Sequence, residues 1–284
     1  MTFEQALESF AVVGCYDAMF DLLQPIETIV CETIPQTVGT LQERIAPSYL
    51  LERPYRELLI ALARGDGRTL SSLRKARIGE NAGEAIQADL IASGILRREI
   101  SRETPVRIYP KQKIKKELRR YRIQDKLRFV DPFYRFWFGF VEPFVAELER
   151  GETQDYVANF YAHKERLYSL LFEQLSDAFL FDYFAASDPI VSSGSFWNKD
   201  DEFDIVALTQ SGRLIVGECK YKDRLVCKNE LGKLKRKAAQ NGFDADVFVL
   251  FAKDGFSNEL RSMQDASLLL FDASDMERMC YDGR

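Results

Sequence analysis

A chain of 284 residues and 32.7 kDa, 46% of it apolar, has the length of about two domains and enough apolar side chains to bury a core in each. Its 39 Lys and Arg against 44 Asp and Glu leave a net charge of −5, which excludes a histone-like polycation and confines any nucleic-acid contact to a local basic patch. The single histidine, His163, excludes a multi-histidine metal centre and leaves a Ser-His-Asp or Cys-His hydrolase without its base unless His163 supplies it.

The five cysteines, Cys15, Cys31, Cys219, Cys227 and Cys280, are odd in number and contain no C-x-x-C pair. Neither a disulfide framework nor a zinc site is expected, and a reducing cytoplasm suits them best. No basic-then-apolar leader opens the chain. Its richest apolar stretch, 129–145, is cut by Asp131, Arg135 and Glu142, short of the ~20 residues of a membrane span, so no membrane association is expected. Neither G-x-x-x-x-G-K-[ST] nor G-x-G-x-x-G occurs, so no ATP hydrolysis is expected from this chain.

Residues 1–52 contain short apolar pieces broken by Pro25, Pro35 and Pro47 and predict a helical segment. From Pro54, the spacing of Tyr55, Leu58, Leu59 and Leu62 predicts a helix stopped at Gly65-Asp66-Gly67. Thr69 is placed to cap a short helix over 70–76. After the Ile78-Gly79 turn, a third helix over 82–93 turns Ile86, Leu90 and Ile91 inward and ends at Gly94. Alternating segments 95–100 and 106–109 around Thr104-Pro105 then predict two strands. Together, 53–128 reads as a winged helix-turn-helix with a basic extension. The third helix carries Glu80, Glu84 and Asp89 and offers only Asn81 and Gln87 to read bases, so phosphate repulsion opposes deep insertion. Residues 97–128 hold about thirteen Lys or Arg against four acids, the one strongly basic tract of an acidic chain. Arg97, Arg98, Lys111, Lys113, Lys115, Lys116, Arg119 and Arg120 are therefore candidate DNA contacts; the alternative is a solvated helical face.

Residues 131–140 are the most aromatic segment, and rings at this density form a core or a domain joint, with base stacking as the alternative use. The joint is assigned to 129–150, and the polar turn over 147–155 opens a second domain, 151–284.

In that domain an amphipathic helix is predicted over 164–181, with Leu167, Leu170, Leu171, Leu175, Ala178 and Phe179 on one face and Glu173 within it. Strands over 203–208 and 214–220 follow, joined by the tight turn Thr209-Gln210-Ser211-Gly212. Period two puts Glu218 and Lys220 side by side on the second strand, and antiparallel pairing brings Asp204, near the start of the first, towards Glu218. Two converging carboxylates repel unless a cation bridges them, and an all-oxygen set without histidine suits Mg²⁺ or Mn²⁺. Lys220 is placed to orient a water or neutralise charge on a phosphodiester; the plain alternative is a strand-end ion pair. A helix over 228–241 carries Lys233, Lys235, Arg236 and Lys237, further candidate DNA contacts. A strand over 246–252, a helix over 258–265 and a strand over 268–271 complete the prediction. The expected fold is α+β in two parts: a helical and winged helix-turn-helix region, then an α/β domain with a mixed central sheet.

Glu173, Asp204 and Glu218-Cys219-Lys220 resemble the pattern of the PD-(D/E)xK nuclease superfamily, which shares the fold of restriction endonucleases and archaeal Holliday-junction resolvases. The longer runs Ser193-Gly194-Ser195-Phe196-Trp197, 202–207 and 217–220 are similar to the C-terminal domain of archaeal-type AAA+ ATPases, and 10–21, 55–109 and 129–140 are similar to the stretches that precede it there. The resemblance implies a restriction-endonuclease-like fold with Asp204, Glu218 and the Cys219 carbonyl as metal ligands. It further implies Lys220 as the catalytic lysine and Glu173 as the helix-borne acid. Phe203 stands where the family has proline. The ATPase core has no counterpart in this sequence, which implies a split or truncated relative with an ATPase partner in trans. The expected function is a DNA-binding, Mg²⁺-dependent nuclease. The alternatives are a non-catalytic DNA-binding or regulatory module serving an ATPase, and a protein-interaction scaffold; a homo-oligomer is a further expectation.

Overall fold

The computed structural model describes residues 2–14, 20–103, 109, 111–116 and 121–282, with the side chains of all but 280–282. The chain divides into two compact units, Met1–Ile100 with Gln124–Leu167, and Ser101–Ile123 with Tyr168–Arg284. The first is mainly helical, and the second is built on a mixed sheet.

The first unit opens with α1 (Phe3–Val13), whose Thr2 and Gln5 satisfy each other's backbone N–H groups in a capping box. Residues 26–42 form one helical run of α2 (Ile26–Thr28), a wide π turn (Ile29–Thr33) and α3 (Ile34–Gln42). The widening falls just before Pro35, which has no N–H for the carbonyl one turn back. Then come α4 (Tyr55–Ala63), α5 (Thr69–Ala76), α6 (Glu80–Ala92) and β1 (Leu96–Glu99). Thr69 proves to be the first helical residue of α5; Arg68 holds the cap position and its side chain makes no capping hydrogen bond.

The partner of β1 is β2 (Lys126–Phe129), antiparallel in the register Leu96↔Phe129. Of the partner strand expected over 106–109, residues 106–108 lie outside the described residues. Gln87 is not available to read bases, because it is buried with Gly83, Ile86 and Leu90 on the inward face of α6; Asn81 is exposed.

The aromatic segment is the core of this unit. It runs through α7 (Pro132–Phe136), a second π turn (Trp137–Val141), a 3₁₀ turn (Glu142–Phe144) and α8 (Val145–Glu149). Phe136 stacks on Phe140 at 5.6 Å and meets the Phe160 ring edge-on at 6.4 Å. Phe136, Trp137 and Phe138 are 0% exposed, which removes them as stacking platforms for bases.

Where a helix was expected only from 164, α9 (Gln154–Phe184) extends for 31 residues. The division between units falls inside it, and not at the polar turn before it. Its first half adds Tyr156 and Phe160 to the first core.

Residues 101–123, expected to extend the winged region, belong with the second unit. Ser101 Oγ donates to the Trp197 carbonyl at 2.6 Å and accepts from the Trp197 N–H at 3.0 Å, and Arg102 donates to Ser192 Oγ at 3.2 Å. The exposed Lys111, Lys113, Lys115 and Lys116 lie in this segment, with no α-helix among its described residues. Arg119 and Arg120 lie outside the described residues.

The sheet of the second unit has the order β3-β6-β7-β8-β9, from β3 (Ile190–Ser192), β6 (Ile205–Thr209), β7 (Leu214–Lys220), β8 (Val247–Ala252) and β9 (Leu268–Asp272). β6 runs antiparallel to its neighbours β3 and β7, while β7, β8 and β9 run parallel. A separate ribbon pairs β4 (Phe196–Trp197) with β5 (Glu202–Phe203). The parallel step from β7 to β8 passes through α10 (Lys228–Gln240), and that from β8 to β9 through α11 (Asn258–Arg261). A final helix, α12 (Ala273–Asp282), was not anticipated.

Helices cover both faces of the sheet. Leu231, Leu234 and Ala238 of α10 pack with Val206, Val216 and Leu250 on one. On the other, Phe179 of α9 meets Phe251 at 5.7 Å and Phe271 at 4.7 Å. Gly217 sits at the tightest point of β7: a Cβ there would lie 2.6 Å from Val249 Cγ1 and 3.1 Å from Ile205 Cβ. Gly217→Ala is therefore expected to destabilise the protein by about 1–3 kcal/mol through overpacking, read as a lower denaturant midpoint. An unchanged midpoint would show that the sheet relaxes freely here.

Candidate functional site

The pairing of β6 with β7 ends at Ile205↔Gly217. One residue earlier, at Asp204, the chain bends out of the sheet into the β4–β5 ribbon. The Cys219 N–H, on the β6 side of β7, thus lacks a strand carbonyl there, and Asp204 Oδ2 accepts it instead at 2.7 Å. The carboxylate is thereby held at the fork where the two central strands separate.

On the α10 side, Glu218 accepts from Lys220 Nζ at 2.5 Å and from Lys237 Nζ at 2.8 Å. Lys237 also donates to the Glu202 carbonyl at 2.5 Å and lies 4.7 Å from the centre of the Phe203 ring. Glu173 approaches from α9, near enough that its charge acts on both Asp204 and Cys219. The five residues expected from the sequence, Glu173, Asp204, Glu218, Cys219 and Lys220, thus come together at one fork.

The electrostatics are lopsided. Burial, followed by the Glu173 and Glu218 carboxylates, pushes the Asp204 carboxyl well above the usual carboxylate range, against the Cys219 N–H and Lys220, which favour its charge. Burial also raises the Cys219 thiol, with Asp204 and Glu173 adding to it and the Ser176 hydroxyl acting the other way. Burial pulls the Lys220 ammonium down, but the charge and hydrogen bond of Glu218, then Asp204 and Glu230, more than offset this and hold it above its ordinary value. Among the described residues, no group of three or more His, Cys, Asp or Glu side chains is already arranged to hold a metal ion. Glu218 faces its lysines.

The candidate DNA contacts separate into several environments. Arg97 and Arg98 are exposed on β1, with Arg98 3.5 Å from Asp125. On α10, Lys233 pairs with Glu230 at 2.8 Å, Lys235 lies over the Phe248 ring at 5.4 Å, and Arg236 is exposed. Lys237 belongs to the fork, a role its place in a charge run concealed. Lys222 and Arg224, which sequence reasoning passed over, line a cleft of about 160 Å³ with Lys220 and Lys233. Their signal was position, just beyond the Glu218-Cys219-Lys220 strand end.

Cys31, Cys219 and Cys227 are free thiols. No helix among the described residues is long and apolar enough to cross a membrane.

The molecule is thus an α+β protein with a helical first unit and a mixed sheet in the second, bearing a cluster of three carboxylates and two lysines at a strand fork. Residues 137–239, which hold the whole cluster, match DUF234, a family described as archaea bacterial proteins of unknown function. No curated protein and no solved structure matches the chain.

Proposed function

We propose that the protein binds DNA and that its second unit is a Mg²⁺-dependent phosphodiesterase of the PD-(D/E)xK kind. The observation that carries this reading is Asp204, a carboxylate kept at a strand fork beside Glu173 and Glu218, where burial and like charge both disfavour it. A structural carboxylate is usually paired with a cation; among the described residues this one's hydrogen-bond partner is a backbone N–H. The donors fit a hard divalent cation: Asp204, Glu218 and the Cys219 carbonyl offer oxygen only, with Glu173 behind them. When bound, the cation lowers the pKa of a water and neutralises charge on a phosphodiester.

The chain's own residues supply the rest. Lys220 keeps its charge at the strand end, suited to a phosphate oxygen or to orienting a water, and Lys222, Arg224 and Lys233 line the adjoining cleft with further positive charge. In the first unit, α4, α5, α6 and the β1–β2 pair follow the order of a winged helix-turn-helix, with Arg97 and Arg98 as contacts from its wing. An archaeal-type ATPase in trans remains part of this reading as a partner.

The test is calorimetric titration of the full chain with Mg²⁺ and Mn²⁺, alongside cleavage assays on single-stranded, duplex and branched DNA. The proposal expects saturable metal binding, metal-dependent cleavage, and DNA affinity that falls with salt. A metal-blind protein that cleaves none of these substrates would overturn it.

A second reading, a non-catalytic DNA-binding or regulatory module, is favoured by one observation: two lysines already hold Glu218. Lys237→Met separates the two. If Lys237 only competes with the cation, its removal tightens Mn²⁺ binding by about tenfold, or 1.4 kcal/mol. Unchanged weak binding together with absent cleavage supports the module.

A further inference from the structure

The first unit contains a cavity of about 280 Å³ that the nuclease reading does not use. Arg64, Arg135, Asn159, His163 and Arg166 reach it, and among the described residues no acidic side chain lines it. In a chain with net charge −5, so many donors converging with no carboxylate among the described lining residues is unexpected.

The arginines are held by main-chain oxygens. Arg64 Nε donates to the Gly139 carbonyl at 3.1 Å, and Arg166 Nη2 donates to the carbonyls of Arg64 and Gly65 at 2.9 and 3.2 Å. Arg135 donates to the carbonyls of Leu167 and Arg166 at 3.3 and 3.1 Å. The Gly139 carbonyl is left for this bond because Pro143, four residues on, has no N–H to offer it. The carbonyl oxygens orient the Arg64 and Arg166 guanidiniums without supplying a counter-charge, and burial lowers Arg64 from its ordinary value. A second observation is independent of the arginines: Asn159 Nδ2 is buried at this cavity with no hydrogen-bond partner.

The remaining wall is apolar, from Ala63, Gly139, Phe140 and Leu167. A volume of 280 Å³ is room for about nine waters at ~30 Å³ each, too large for a bare phosphate and near the lower end of small-molecule pockets.

We infer that this cavity binds a small organic oxyanion, a phosphate ester or carboxylate carried on a compact apolar body. The Arg64 and Arg166 guanidiniums take the oxyanion, Asn159 Nδ2 donates to it, and the apolar wall packs the body.

Phenyl phosphate is a suitable probe for the full-length protein, with inorganic phosphate testing the apolar body and benzyl alcohol testing the charge. His163, the only histidine, gives a single imidazole proton pattern at the cavity that reports occupancy beside calorimetry. The expected result is saturable binding of phenyl phosphate with a dissociation constant below about 1 mM, and both controls at least about tenfold weaker. Arg166→Gln should weaken binding by about tenfold or more. Because Arg166 also holds two carbonyls, Asn159→Leu provides a second variant that removes the unpartnered donor; it should lose affinity and keep its melting temperature. No saturable response, or equal affinity in wild type and a folded Asn159→Leu variant, would overturn the inference. So would displacement of phenyl phosphate by duplex DNA, which would make the cavity a backbone contact. Metal binding at Asp204 enters none of these readouts.

Discussion

Asp204→Asn is expected to abolish metal-dependent cleavage while raising the melting temperature. The asparagine oxygen keeps the acceptor for the Cys219 N–H, so the strand fork retains its bond. What disappears is a charge that burial and the Glu173 and Glu218 carboxylates all oppose. The gain should be about 1 kcal/mol, within the range of substitutions that relieve a strained functional site, and appears as a rise of about 2–4 °C. Loss of the charge that would face a cation and a phosphodiester should lower the cleavage rate by at least about 10²-fold. The two effects point in opposite directions, which a purely structural aspartate cannot produce. Wild-type cleavage by the purified variant, or a lower melting temperature with intact cleavage, would contradict the assignment of Asp204 to function.

Glu142→Ala is expected to have the largest effect on stability, about 2–3 kcal/mol, mostly from leaving a buried donor unpaired, since Arg56 is 36% exposed and regains water. Glu142 is only 4% exposed; its Oε1 accepts from Arg56 Nε at 2.5 Å and its Oε2 from Trp137 Nε1 at 2.8 Å. Alanine leaves the indole N–H of a fully buried tryptophan unpaired among rings, beside a guanidinium that has lost its counter-charge. Glu142→Gln preserves acceptor capacity and should fall between the two. The chain has two tryptophans, Trp137 in the first unit and Trp197 in the second, so denaturant melts of single-tryptophan variants can follow each unit separately. The loss belongs in the Trp137 signal. A change below about 1 kcal/mol there would mean that water or another donor replaces the carboxylate.

The carboxylate fork was legible because its parts are local. A four-residue turn sets the register of β6 on β7, and period two then dictates that Asp204 and Glu218 stand nearly opposite and that Lys220 shares the face of Glu218. Glu173 could be placed on a helix by its apolar neighbours, but only packing of α9 on the sheet brought it to the fork. Lys237 was legible as a charge and not as a partner of Glu218, because that contact joins α10 to β7 across the sheet surface.

Other differences have the same origin. Segment 126–129 alternates, but only the burial of Leu127 and Phe129 in the first core marks it as a strand that pairs with β1. Gln87 reads as a surface amide until the phase of α6 is set by Gly83 packing against Leu73, which turns it inward. The first ten residues of α9 lack a long apolar stripe; Tyr156 and Phe160 make them helical by burying rings in the first core. By itself, then, the sequence determined the order of elements from β6 to β9 and the facing of residues within one hairpin, since backbone periodicity and turn length act over a few residues. The tertiary structure alone decided which distant segments join each unit, which lysines meet Glu218 and which donors converge on the cavity beside His163, because burial and charge compensation are settled between elements far apart in the chain.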